Sequence, residues 1–141
     1  MAEIEITGNT IRIPSSTDHI GAVDEFLEAW LRARAIPEDT IADLAIAITE
    51  LVNNAIKHGN RKNAGKHVTI GLLLENGRAR ATIADEGEGF NPDVIPSPIA
   101  EENLLKEIGR GIFIVRSLMD NVEFDVPPEG GTRVTITKKI Q

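Results

Sequence analysis

The hydrophobic residues of this chain switch between two periods, and the order of the switches limits the folds open to it. Ile4 and Ile6, then Ile11 and Ile13, are each separated by one polar residue. That period of two reads as two short strands turning at Gly8-Asn9. Pro14-Ser15-Ser16-Thr17-Asp18 then offers helix-capping side chains. Ile20, Val23, Leu27, Trp30 and Leu31 recur at helical spacing and predict a helix to about Ala35. Pro37, with Glu38 and Asp39 behind it, suits the first turn of a second helix. That helix is expected to run to His58 and end at Gly59, burying Ile41, Leu44, Ala45, Ile48, Leu51, Val52 and Ala55. Period two returns in Val68, Ile70, Leu72 and Leu74, then in Ala79, Ala81 and Ile83, across a tight Asn76-Gly77 turn. A loop with Pro92, Pro96 and Pro98 follows, and a short helix is expected to begin near Gly109. Val122, Phe124 and Val126, then Val134 and Ile136, read as a closing pair of strands joined by a Pro127-Pro128-Glu129-Gly130-Gly131 turn. Runs of strands and runs of helices in this order predict an α+β fold, with helices covering one face of a mostly antiparallel sheet.

The 141 residues fit one domain, 1–141, and no internal repeat or low-complexity linker divides them. Hydrophobic residues make up 41% and charged residues 26%, values of an ordinary globular chain. The formal net charge of -7 disfavours a nucleic acid partner, which would need a surplus of Lys and Arg. No cysteine is present, which excludes disulfides, thiolate metal sites and cysteine nucleophiles. No apolar run approaches the ~20 residues needed to span a bilayer. The start, Met1-Ala2-Glu3-Ile4-Glu5, lacks the basic and apolar stretches of a signal peptide, so a cytoplasmic location is expected.

Four places break the pattern of a plain core. In Glu50-Leu51-Val52-Asn53-Asn54-Ala55-Ile56-Lys57-His58-Gly59, Glu50 and Asn54 share a helical face. A carboxylate and an amide oxygen at that spacing can hold a hard cation directly or through water. A solvated helix face accounts for Glu50 and Lys57 equally well, and His58 fits a helix-end histidine satisfied by nearby backbone. In Asp85-Glu86-Gly87-Glu88-Gly89-Phe90, strand alternation turns Asp85 inward, where a carboxylate must find donors. Gly87 and Gly89 let backbone approach something closely, although an ordinary glycine turn has the same look. In Gly109-Arg110-Gly111, glycines open an apolar helix. Free N–H groups there would suit a phosphate, and a flexible connector would read alike. Thr132 shares the inward face of Val134 and Ile136, so its hydroxyl needs a buried partner.

In order and spacing these segments resemble the ATP-binding domain shared by gyrase and histidine kinases, from about Pro37 to Ile140. Glu50 to Asn54 resembles its asparagine box, Asp85 to Gly89 and Gly109 to Gly111 its glycine boxes, and Gly131-Thr132 its last element. Within that superfamily the chain is most similar to the stand-alone anti-sigma-factor serine kinases of bacteria. The length, the acidic balance and the stretch Asn54-Ala55-Ile56-Lys57-His58-Gly59-Asn60 carry that likeness. The resemblance implies a two-layer Bergerat fold with a mixed, mostly antiparallel sheet, and it implies ATP and Mg2+ as ligands. Asp85 would accept from the adenine amino group, with Thr132 beside it. Asn54 would hold the metal and Glu50 would be the general base. Gly109, Arg110, Gly111 and Lys57 would serve the phosphates, with Gly87 and Gly89 shaping the floor. Residues 91–108 would be the ATP lid. The implied partners are a sigma factor and a STAS-domain antagonist, the antagonist being phosphorylated on serine. A homodimer is implied too, with the 4–13 hairpin and the first helix near Trp30 as its expected face. A nucleotide-gated binding module without kinase activity is the alternative function. A free-standing catalytic piece of a histidine kinase is a third, and it would need a phosphoacceptor histidine from elsewhere.

Overall fold

The computed structural model describes residues 4–63, 65–87 and 102–140, with side chains of the last stretch from 108 onward. Strands β1 (Glu5–Thr7) and β2 (Thr10–Pro14) open the chain, and Gly8 takes a positive φ of 57° between them. Ser16 caps the short 3-10 turn Thr17–His19 by accepting from Asp18 N at 3.2 Å. Helices α1 (Ile20–Arg32) and α2 (Glu38–Asn54) follow. α1 stops short of the expected Ala35, and Ala35 turns the chain in the left-handed region at φ 57°. Strands β3 (His67–Glu75) and β4 (Arg78–Ala84) come next, then α3 (Glu102–Leu118), β5 (Asn121–Asp125) and β6 (Arg133–Lys139). The β3–β4 turn is the tight hairpin expected. Asn76 at φ 51° and Gly77 at φ 73° give the twist that two-residue turns need.

The six strands lie in the order β1-β2-β3-β4-β6-β5. Every neighbouring pair is antiparallel, so the mixed sheet expected is wholly antiparallel among the described strands. The reason is topological. β4 and β5 run in the same direction across the α3 crossover, but β6 inserts between them and pairs with both. One face of the sheet carries Ile11, Ile13, Val68, Ile70, Ala81, Ile83 and Ile136, all buried against the helices. α1 contributes Val23, Leu27 and Leu31 to this layer, and α2 contributes Ile41, Leu44, Ala47, Ile48, Leu51 and Val52. Ala45, expected inside, is only half-buried, and Ala47 takes its place. The other face is a polar lawn in which Thr82 pairs with Thr135 and Arg80 with Thr137. Val126, expected on the closing pair of strands, lies beyond the end of β5 and is 58% exposed.

Two further helix boundaries differ from expectation, and both sit where function is concentrated. α2 does not continue to His58 as α-helix. It widens into a π-helical turn at Ala55–Gly59, with Asn60 N donating to Ala55 O five residues back at 2.8 Å. Isolated π turns of this kind recur at functional sites. α3 begins at Glu102 rather than near Gly109, so the two glycines lie in its interior.

Candidate functional site

Asp85 follows β4 directly and continues its inward face. Its backbone N–H donates to Thr132 O at 3.0 Å, tying the end of β4 to the chain entering β6. Its Oδ1 accepts from Thr132 N at 3.1 Å and from Gly87 N at 2.9 Å. Both described backbone donors therefore go to one oxygen, and Oδ2 lies beside Gly59, which also lines the pocket. Burial pushes the Asp85 carboxyl above the ordinary range, against the pull of the two backbone N–H groups and of Lys66.

Three glycines make this placement sterically possible. A Cβ on Gly59 would overlap Asp85 Oδ2, and one on Gly87 would overlap the Gly59 carbonyl oxygen. One on Gly131 would overlap the Asp85 carbonyl oxygen. Gly59 was expected to stop a helix. Its φ is not in the left-handed region, so what it supplies is the absence of a side chain where the carboxylate lies.

Around Asp85 is a pocket of about 420 Å³, its open mouth included. Leu51, Ile83, Ile112, Phe124 and Val134 form apolar walls. Asn54, His58, Asp85 and Thr132 supply the polar groups, and Thr132 is 4% exposed. A slot with apolar walls and one fixed carboxylate suits a flat heteroaromatic ring bearing an exocyclic amino donor.

Glu50 and Asn54 sit one turn apart on α2 where α3 crosses it. A Cβ on Gly111 would lie 3.0 Å from Glu50 Oε2, 3.5 Å from Asn54 Nδ2 and 3.8 Å from Asn54 Oδ1. The two side chains thus converge on one spot beside the pocket, and Gly111 leaves that spot open. A carboxylate and an amide oxygen are hard donors of the kind Mg2+ takes. No group of three His, Cys, Asp or Glu is clustered among the described residues. One direct protein ligand, Asn54, with the Glu50 carboxylate beside it, fits an ion that keeps most of its shell as water and phosphate oxygen.

The remaining expected residues are placed differently. Gly109 and Gly111 were expected to offer free N–H groups at a helix start. Eight and ten residues into α3, their N–H groups belong to the helix ladder instead. Arg110 is exposed on α3 beside them. Lys57, in the π turn, lines a neighbouring groove with Ser16, Thr17, Asn53 and Lys62 rather than the Asp85 pocket. Gly89 and residues 91–101 of the expected lid lie outside the described residues. Asn60 closes the stretch that carries the family likeness, but the sequence assigned it no role in the site. It is 2% exposed and fully engaged in hydrogen bonds.

The histidine kinase-like ATPase domain family matches residues 13–138. The chain is 30% identical over 139 residues to the serine-protein kinase RsbW of Staphylococcus aureus (strain JH9), covering 93% of this chain and 86% of that one. It is 31% identical to the serine-protein kinase RsbW of Staphylococcus epidermidis over the same shares. The chain belongs to this family of serine-protein kinases. The kinase also shares its fold with solved structures. The RsbU and RsbW domains of Rv1364c from Mycobacterium tuberculosis match with a TM-score of 0.67 at 21% identity, over 96% of this chain and 34% of that longer one. The catalytic domain of histidine kinase ThkA matches with a TM-score of 0.55 at 15% identity, over 97% of each chain. These two likenesses speak for the fold alone. The family read from the motifs is the family found, and the chain is an ATP-binding protein serine/threonine kinase of the histidine kinase-like type. Among the described residues no helix is long and apolar enough to cross a membrane.

Proposed function

We propose that this kinase transfers the γ-phosphate of Mg·ATP to a serine or threonine of a STAS-type antagonist, and that it sequesters a sigma factor when the antagonist is phosphorylated. The observation that carries the proposal is the pairing of two arrangements. Asp85 is clamped in an apolar slot by Thr132 and Gly87, and Glu50 and Asn54 converge beside it under Gly111. In this reading Asp85 accepts from the adenine amino group, and Thr132 holds Asp85 and borders the ring. Asn54 would hold Mg2+, which would offset the charge of the phosphates. Glu50 takes the proton of the attacking hydroxyl. Residues 91–108 of the single 1–141 domain serve as the lid, with Gly87 and Gly89 beneath the nucleotide. Gly109, Arg110, Gly111 and Lys57 attend the phosphates. The protein acts in the cytoplasm, without direct contact to nucleic acid or membrane. A homodimer through the β1–β2 edge is part of the proposal. Ile4 and Ile6 are 38% and 60% exposed there, on the face whose neighbours Ile11 and Ile13 are buried.

The test is transfer of labelled γ-phosphate from Mg·ATP to purified STAS-domain proteins of the same genome. Acid-stable label on one acceptor, absent with Glu50→Gln, is the expected result. No label on any acceptor, with ATP binding confirmed, would refute it. One observation favours the second reading, a nucleotide-gated binding module. The Gly109 and Gly111 amides are committed inside α3, so nucleotide could act by rearranging that helix. In that case Glu50→Gln would leave capture of the partner intact.

A further inference from the structure

Asn60 lies at the junction of four chain segments and is 2% exposed. Its Nδ2 donates to Ser15 Oγ at 2.5 Å and to His67 O at 2.9 Å. Its Oδ1 accepts from Glu86 N at 2.7 Å. The backbone partners fix which way the amide points. Only oxygen can accept from the Glu86 N–H, and only nitrogen can donate to the His67 carbonyl. One side chain thereby joins the end of β2, the π turn, the start of β3 and the turn after β4.

The Glu86 N–H belongs to the peptide that leaves Asp85, so holding it holds the carboxylate's own backbone. The joint is tight on its other side as well. Gly59, the residue before Asn60, packs its Cα on the Asp85 carboxylate, and Gly87 packs on the Gly59 carbonyl. The π turn matters here, because its five-residue hydrogen bond ends on Asn60 N at 2.8 Å. It fixes the backbone from which Asn60 reaches Glu86.

We infer that Asn60 is a positioning residue for base recognition, setting the aim of Asp85 through the Glu86 N–H. It touches no nucleotide itself. The inference rests on the reading of Asp85 as the adenine acceptor. A mis-aimed carboxylate weakens adenine binding and blurs adenine against guanine, and it leaves the Glu50–Asn54 end of the site unchanged.

The experiment measures Kd for ATP and GTP, and KM and kcat for ATP, on the full chain at a temperature where every variant is folded. Wild type and Asp85→Asn come first. If wild type binds no ATP, or Asp85→Asn binds it normally, the reading of Asp85 fails, and with it the ground for the inference. Given that ground, Asn60→Ala is expected to weaken ATP at least tenfold and to cut the ATP-to-GTP preference at least fivefold. KM should rise while kcat at saturating ATP stays within twofold. Asn60→Ser, with a shorter polar arm, stands in if Asn60→Ala does not fold. Asn60→Asp keeps an acceptor for Glu86 N, and the Ser15 hydroxyl can turn to donate to it, while its other oxygen meets the His67 carbonyl oxygen; the melting temperature should fall, and ATP affinity in the folded protein should stay closer to wild type than in Asn60→Ala. Ser15→Ala removes a bond of Asn60 that does not lead to Asp85. It should lower the melting temperature and leave Kd unchanged. ATP affinity within twofold of wild type in Asn60→Ala or Asn60→Ser would overturn the inference. So would a fall in kcat without a rise in KM, or a loss of affinity in Asn60→Asp as large as in Asn60→Ala.

Discussion

Asp85→Asn separates binding from folding at one atom. The asparagine Oδ1 can keep both bonds that Asp85 Oδ1 accepts, from Thr132 N at 3.1 Å and Gly87 N at 2.9 Å. Oδ2 becomes an NH2 group. Burial holds the Asp85 carboxyl above its ordinary range, so removing the charge takes away an unfavourable desolvation. The apo melting temperature should stay level or rise. Nucleotide binding should behave in the opposite way, because a donor now meets the donor of the base. A hydrogen bond to a charged group contributes about 1.5–3 kcal/mol. Taking about 2.7 kcal/mol, the dissociation constant rises about a hundredfold. At 100 times the wild-type dissociation constant, Mg·ATP stabilises wild type by about 2.7 kcal/mol. An unfolding entropy of about 2.1 cal/mol/K per residue gives about 0.3 kcal/mol/K for 141 residues. The wild-type shift is then about 9 °C. At the same ATP concentration the variant sits near its own dissociation constant, gains about 0.4 kcal/mol and shifts by about 1–1.5 °C. Differential scanning fluorimetry with and without Mg·ATP reads all four numbers. A variant that keeps the 9 °C shift would refute the role of the carboxylate. One that melts far below wild type without nucleotide would refute the claim that its bonds survive.

Gly111→Ala should raise apo stability by about 1 kcal/mol, the helix-interior preference for Ala over Gly. Its Cβ would press on Glu50 Oε2 at 3.0 Å, so phosphate transfer should fall at least tenfold, read by thermal melts beside a transfer assay. Gly59→Ala places a methyl on the Asp85 carboxylate. It should lose both stability and the ATP-induced shift, and calorimetric ATP affinity close to wild type would contradict the packing described. The raised Asp85 carboxyl also sets a pH dependence. The native state keeps a proton that the unfolded chain releases near pH 3.9. Apo stability from this group is therefore highest below that value and is lost as pH rises through the raised native value. ATP affinity runs the other way, falling as pH drops through the same native value, and Asp85→Asn should abolish that part of the profile in pH-dependent titrations.

Periodicity was enough to place the strands and the first two helices, because each buries one regular stripe. Val68, Ile70 and Leu72 on β3 and Leu44, Ile48 and Leu51 on α2 are inward as their spacing requires. Asp85 and Thr132 could be read because each interrupts such a stripe with a polar group. The start of α3 could not. Gly109 and Gly111 look like a helix opening, while α3 runs through them from Glu102. The π turn and Asn60 were equally hidden. Both depend on partners distant in sequence: Ser15 lies 45 residues away and Glu86 lies 26. No local pattern reports a buried joint between such segments.

The π turn at Ala55–Gly59 also makes the chain sensitive to length. A π turn holds one residue more than the α-helical path it replaces. Deleting a single residue between 55 and 58 would let α2 run on as regular helix between the same ends, leaving Gly59 and Asn60 beside Asp85 and Glu86. Inserting one there meets a turn already widened, and Gly59 and Asn60 would be swung about 100° around the helix axis, away from Asp85 and Glu86. Insertions in surface loops should therefore be tolerated far better than an insertion between Asn54 and Asn60. An insertion library across 50–63, sorted for folded protein and then for ATP binding, should show this as a narrow gap where folding persists and nucleotide is lost.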